Sequence, residues 1–427
     1  MKNIFKYLII IAIIISYTYP SFATPLNIQI TGKVGWKTAF TNQSKYFQVD
    51  HLDSKKFYSS KQNMTTETGI KILANNETDF GMKYGASIEF GDDTTFGKSG
   101  KDIYFENTFL FLESNLGKLE FGSHISASKT MKVDASNIGR ATGGISGSFN
   151  SFINNKVGYL DTNLAGAETG KRIEATYLTG PHQPFNTSSH NGRFNKISYY
   201  TPEISGLQLG LTYALDSGDK GNYKGLTGKY LNFNTNTPGL YKIKKQYQNI
   251  FEVGMKYKFQ YQKIDLELGI AGQVAKAEKV NPYIYPNPEL HQKIHGIKAF
   301  NSGVILTYNN LSLAGSYGNW GKSLNTKQTD MYNKSTTSYY TLGAAYIHNL
   351  TGVSVTYFNS SRLKNKFTYL AFGSDYKLRE GVLAYAETSF FKFKPAQYAY
   401  LKPIGGIQGD AKNNLGNITF VGIKYMF

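Results

Sequence analysis

The chain has 427 residues, of which 41% are hydrophobic, 15% aromatic and 18% charged, with 33 Tyr, 43 Gly and a formal net charge of +18. That aromatic-rich, charge-poor composition excludes intrinsic disorder. The lack of Cys excludes a disulfide scaffold, a Cys-ligated metal centre and a thiol nucleophile.

At the N-terminus, Lys2 and Lys6 precede the apolar run Leu8–Ile15, and Ser21-Phe22-Ala23 offers small residues either side of a scissile bond. This is the plan of a cleaved signal peptide over residues 1–23, leaving a mature chain from Thr24. The run is too short to span a bilayer, so a helical membrane protein is excluded. Basic excess suggests nucleic acid, an anionic membrane face or anionic solutes. An exported chain whose basic residues are scattered singly is not expected to bind nucleic acid.

Beyond residue 24 the pattern has period 2. In Phe80-Gly81-Met82-Lys83-Tyr84-Gly85-Ala86-Ser87-Ile88-Glu89-Phe90 the even positions are apolar and the odd ones are Gly, Lys, Ser and Glu. A strand sends these two sets to opposite faces. Leu207–Tyr213 and Phe251–Lys258 repeat the pattern. Strands are expected at 26–40, 65–74, 78–90, 103–113, 117–124, 193–201, 207–215 and 247–259, then at 263–274, 296–308, 311–320, 337–348, 351–360, 366–377, 382–392 and 415–427. Sixteen is an even number, as bacterial single-chain barrels require. Segment 171–178 also alternates and is assigned to a loop.

The segments are long enough to cross a bilayer when tilted. Aromatic residues such as Tyr199-Tyr200, Tyr308, Tyr317, Tyr339-Tyr340 and Tyr376 sit at strand ends, where girdles meet the membrane interfaces. Lipid offers no hydrogen bonds to a sheet edge, so the sheet must close. The fold class is therefore all-β: a 16-stranded antiparallel transmembrane β-barrel over 24–427. Short turns (75–77, 114–117, 202–206, 261–262, 309–310, 349–350, 378–381) are placed on the periplasmic side. Long loops (41–64, 91–102, 125–192, 216–246, 275–295, 321–336, 361–365, 393–414) face outward.

The stretch Tyr104-Phe105-Glu106-Asn107-Thr108-Phe109-Leu110-Phe111-Leu112-Glu113, leading into Gly117-Lys118-Leu119-Glu120-Phe121-Gly122, resembles the general porins of Gram-negative bacteria, especially their alphaproteobacterial branch. So do Met131-Lys132-Val133-Asp134-Ala135-Ser136, Lys196-Ile197-Ser198-Tyr199-Tyr200-Thr201-Pro202 and the terminal Tyr425-Met426-Phe427. The resemblance implies a homotrimer whose third loop, 125–192, folds inward to narrow the pore. It also implies outer-membrane assembly machinery that reads Tyr425 and Phe427.

Permeation needs a wet lumen and a charged constriction, not a catalytic residue or cofactor. Alternation puts Lys33, Lys37, Lys71, Lys83, Lys118, Lys196, Lys256, Lys258 and Lys424 on the lumen face. It puts Glu67, Glu89, Glu120, Glu252, Asp265 and Glu267 there too, a balance that favours weak anion preference. The flexible third-loop tip, Gly139–Gly147, carries Arg140 with Asp134 upstream, where the resemblance leads one to expect acids. Passage of small hydrophilic solutes and ions is the expected function. A substrate-specific porin and a surface antigen or adhesin on a barrel scaffold are the alternatives. Outer basic residues are candidates for contact with lipopolysaccharide. The phosphate-loop-like 91–99, the pair His291 and His295, His124 at the loop entrance and Asp92-Asp93 are read as ordinary loop and rim features.

Overall fold

A computed structural model describes residues 26–52, 55–58, 61–93, 104–146, 148–153, 158–160, 172–174, 177–186, 194–217, 247–277, 294–325, 336–396 and 413–427. The expected signal peptide, His291 and most of the 216–246 loop lie outside them.

Sixteen antiparallel strands close into one barrel, each paired with its sequence neighbour and the first with the last. We number them β1 (Asn27–Gln43), β2 (Gln62–Glu77), β3 (Lys83–Asp93), β4 (Tyr104–Ser114), β5 (Gly117–Ser123), β6 (Asn195–Tyr200), β7 (Leu207–Asp216) and β8 (Tyr247–Tyr261). They continue as β9 (Ile264–Ala277), β10 (Ile297–Tyr308), β11 (Leu311–Gly321), β12 (Thr337–His348), β13 (Thr351–Arg362), β14 (Asn365–Arg379), β15 (Val382–Lys394) and β16 (Asn414–Met426). All sixteen expected strands are present. The seam pairs Lys33 with Met426 and Lys37 with Gly422. It ends where Gly32 and Phe427 exchange backbone hydrogen bonds of 2.8 and 3.0 Å.

The alternating pattern sorts as the strand geometry requires. Leu207, Leu209, Leu211 and Tyr213 on β7 point outward and are exposed, whereas Gly210, Thr212 and Ala214 point inward. An outward apolar row is stable only against lipid.

Two boundaries differ from expectation. Asn75-Asn76-Glu77 is strand, pairing with Gly85, Tyr84 and Lys83. The turn falls later, at Thr78–Met82, where the Thr78 N–H donates to the Met82 carbonyl at 2.9 Å and Gly81 has φ of +82°. The expected long loop 361–365 is a two-residue turn, with Leu363 (φ 52°) and Lys364 (φ 62°) both left-handed. That geometry matches the twist of a tight hairpin, but the usual Asn-Gly signal is missing. Outside the barrel, Val49–Leu52 pairs with Lys55–Tyr58, and Gly158–Leu160 with Arg172–Glu174. The second pair accounts for part of the alternation at 171–178.

The inner face is not polar throughout. Trp320, Tyr339, Phe358, Phe367, Tyr369, Phe391, Phe393 and Phe420, all inward-facing on β11–β16, form a buried apolar core with Phe149, Phe152 and Phe185 of the third loop. Phe149 stacks on Tyr369 with centroids 4.0 Å apart, and Phe152 meets Phe420 edge-on at 5.3 Å. Where loop covers wall, side chains meet protein rather than water, and apolar residues replace the polar row.

Candidate functional site: the lumen and its third-loop strap

After β5 the chain runs along the inward faces of successive strands. A short helical turn, α1 (Ala127–Thr130), meets β7 and β8: the Ala127 N–H donates to Thr212 Oγ1 at 2.8 Å, and Ser128 Oγ donates to Glu252. Gln273 Nε2 on β9 donates to the same carboxylate at 2.9 Å. Further on, the Ala135 N–H reaches Thr341 Oγ1 on β12 at 3.2 Å, and the Arg140 N–H reaches Ser354 Oγ on β13 at 2.9 Å. The Arg140 guanidinium pairs with Asp375 on β14 at 2.6 Å. The tip ends on Glu387 of β15, which accepts Thr142 Oγ1 at 2.7 Å and the N–H groups of Thr142 and Gly144 at 3.2 Å each.

Glycines on the wall make this close approach possible. A Cβ on Gly303 would lie 1.9 Å from the Val133 carbonyl oxygen, and one on Gly269 would lie 2.6 Å from Val133 Cγ2. On β8, β12 and β14, Gly254, Gly343 and Gly373 face Met131, Ala135 and Arg140 in the same way. Strand glycine signals close backbone approach, and here five strands share one partner.

The expected site residues divide by whether the strap covers them. Lys37, Asp134, Lys196 and Glu252 face inward but are buried. Lys37 pairs with Glu67 and lies 5.7 Å from the Phe152 ring centroid. Asp134 accepts the Ser136 N–H at 2.8 Å and pairs with Lys132 at 2.5 Å, capping the turn Ala135–Ile138. Lys196 Nζ donates to the His124 carbonyl at 2.5 Å. Lys37, Lys196 and Glu252 are pegs between wall and loop, and Asp134 holds a turn within the loop. Glu120 is largely buried beside Lys118 at 2.8 Å, and Lys256 pairs with Glu267 at 2.9 Å.

Lys33, Lys71 and Lys83 stay exposed on β1–β3. Lys33 sits 3.9 Å from Glu67 with 58% of its side chain accessible. Lys71 and Lys83 make no ion pair among the described residues. Glu89 accepts from Asn107 Nδ2 instead of pairing with the facing Lys71. Lys71, Ser87, Phe109, Glu113 and Lys118 are shared by two adjoining cavities of about 600 and 660 Å³. Alternation overlooked Asp375 and Glu387, the acids that hold the tip. Their inward parity was readable, but nothing in one dimension tells which wall residues a loop will cover.

His124 closes the strap's first end. Its Nδ1–H donates to the Gly122 carbonyl at 3.1 Å, so neutral Nε2 accepts from Ser198 Oγ at 2.7 Å. Burial first, then the Lys196 charge, pushes it down to about 3. His182, half-buried and near Lys132 and Lys129, is pushed down to about 4, first by its loss of solvent and then by those charges.

The family model described as Gram-negative porin matches residues 20–396. An uncharacterized protein of Rickettsia bellii is 27% identical, covering 94% of this chain and 92% of its own length. One of Rickettsia typhi is 26% identical over 99% and 100%. Among solved structures, an anion-selective porin from Comamonas acidovorans superposes with a TM-score of 0.53 at 16% identity, covering 94% of this chain and all of that one. A mutant of Rh. blastica porin gives 0.51 at 13% identity with the same coverage.

Proposed function

The chain belongs to the Gram-negative porin family, and from that premise we propose that it carries small hydrophilic solutes and ions passively across the outer membrane, with a weak preference for anions. The observation that carries this reading is the sector the strap leaves open. There the wall of β1–β5 keeps Lys71, Lys83 and Lys118 beside cavities of about 600 and 660 Å³, and Lys33 is exposed on β1. The strap, Ala127–Ile145, narrows the lumen to that sector, so size sets the cutoff and the exposed lysines set the ion bias. No reacting group is needed, which makes this a channel and not an enzyme.

Three further parts belong to the same reading. Residues 1–23 act as a cleaved export signal, the barrel assembles as a homotrimer, and Tyr425 and Phe427 serve as the assembly signal. Tyr425 and Phe427 stack with centroids 5.7 Å apart at the closing seam.

Proteoliposome swelling tests the proposal. The folded chain should admit small sugars at rates that fall steeply with solute size, and a salt gradient should give a reversal potential of anion sign. Liposomes as tight as protein-free ones would refute the channel; a cation-signed potential would refute the selectivity.

A further inference from the structure

Inward aromatic residues on β11–β16 are explained by the loop that covers them, but two apolar residues on the open side are not. Leu73 on β2 and Phe109 on β4 point into the lumen, level with the buried Ser87 of β3 that stands between them. Neither belongs to the aromatic core beneath the strap. Both are only half-buried; Phe109 lines both cavities of the open sector and Leu73 lines one. A wall that only had to stay wet would carry polar side chains here.

The next inward row, further from the Thr78–Met82 turn, is charged. Lys71 on β2 stands directly opposite Glu89 on β3, and Glu89 opposite Asn107 on β4. The two charges do not pair. Asn107 Nδ2 donates to Glu89 Oε2, which leaves Glu89 Oε1 and the exposed Lys71 ammonium without a partner among the described residues. Neighbouring strands lie about 4.8 Å apart, so the opposite charges stand side by side. The apolar row lies roughly 7 Å away, two residues along the strand at about 3.4 Å each.

An α-amino acid complements this arrangement: a carboxylate for Lys71, an ammonium for Glu89, and an apolar side chain against Leu73 and Phe109. A simple anion would use Lys71 alone and be repelled by Glu89. A sugar would use the charged row and leave the apolar one idle.

We propose that this stretch of the lumen is a binding site for free amino acids with apolar side chains. The inference rests on the channel reading and deepens it by naming a class of solute.

The test uses the full mature chain in planar bilayers in KCl. Interruption of the single-channel current is titrated with L-phenylalanine, glycine, phenethylamine, 3-phenylpropionate and glucose. Phenylalanine should act at about tenfold lower concentration than glycine, which has no apolar side chain to cover the row. It should act at about three- to fivefold lower concentration than phenethylamine, which lacks the carboxylate, or 3-phenylpropionate, which lacks the ammonium. Lys71→Gln should erase the advantage over phenethylamine and keep that over 3-phenylpropionate, and Glu89→Gln should do the reverse. Phe109→Ser should erase the advantage over glycine; should that variant not fold, Leu73→Ser should reduce it. Equal potency of glycine or glucose with phenylalanine, or charge variants with the parent's selectivity, would overturn the proposal. A KCl current that phenylalanine does not interrupt would overturn this site and leave the channel standing, whereas a folded barrel that passes no current would overturn both.

Discussion

Glu387 offers a quantitative test of how the strap is held. Its buried carboxylate accepts three hydrogen bonds from the tip: Thr142 Oγ1 at 2.7 Å and the N–H groups of Thr142 and Gly144 at 3.2 Å. Hydrogen bonds to a charged group contribute about 1.5–3 kcal/mol each, but they share one acceptor and do not add. Truncation leaves these three neutral donors without an acceptor at about 1–3 kcal/mol each, roughly 3–5 kcal/mol together after relaxation. Glu387→Ala should therefore raise the undocked population of the tip by about 100- to 3000-fold, at a factor of ten per ~1.4 kcal/mol. Arg140–Asp375 lies one strand away and holds the preceding residues, so the loosening should be local. Amide hydrogen exchange read by mass spectrometry on peptides covering 139–146 measures that population directly. Protection there should fall by two to three orders of magnitude, while peptides from β7–β10 stay unchanged. Protection within threefold of the parent would show that Glu387 does not hold the tip.

The glycine track makes a steric prediction: Gly303→Ala sets a Cβ 1.9 Å from the Val133 carbonyl oxygen and should destabilise the barrel by about 1–3 kcal/mol. Gly315→Ala, whose nearest atom would be 3.6 Å away, should be near neutral in the same urea-unfolding assay. Strap docking should depend on pH. His124 and His182 are depressed to about 3 and about 4 from 6.5, so the undocked chain takes up protons more readily. Their contribution is then complete above about pH 6.5 and declines as pH falls towards 4 and 3, and exchange protection at 124–130, corrected for intrinsic rate, should be lower at pH 4.5 than at pH 7. Reversing exposed charge with Lys33→Glu/Lys71→Glu should move the reversal potential towards cations. Sequencing of the exported protein should find Thr24 first.

Much of the fold was legible because lipid imposes one rule on every strand. Outward residues must be apolar, and period 2 then marks strand after strand, as on β7 and β8. The seam was legible for the same reason, since Val421, Ile423 and Tyr425 continue the outward row to the chain end. The rule weakens where a second apolar environment exists. Along Tyr369-Leu370-Ala371-Phe372 and at Phe390-Phe391 both faces are apolar, because one meets lipid and the other meets the strap's aromatic core. Those doubled runs were the available sign that part of the lumen is dry. The site divided similarly. Parity placed Lys33, Lys71, Lys83 and Lys118 on the inner face, but only long-range contacts separate exposed lysines from buried pegs such as Lys37 and Lys196. The Leu363–Lys364 turn was illegible because neither residue favours positive φ.

The central claim is that water crosses the barrel along β1–β5 and not beneath the strap. The chain has no Cys, so single cysteines can be placed on a silent background. In planar bilayers, a charged methanethiosulfonate reagent should cut the single-channel current of Lys71→Cys, Lys83→Cys and Asn107→Cys. It should leave Thr356→Cys and Ser389→Cys unaltered, since these inward positions are buried. Modification at Thr356 and Ser389 with none at Lys71, or no current from the folded barrel at all, would contradict the account.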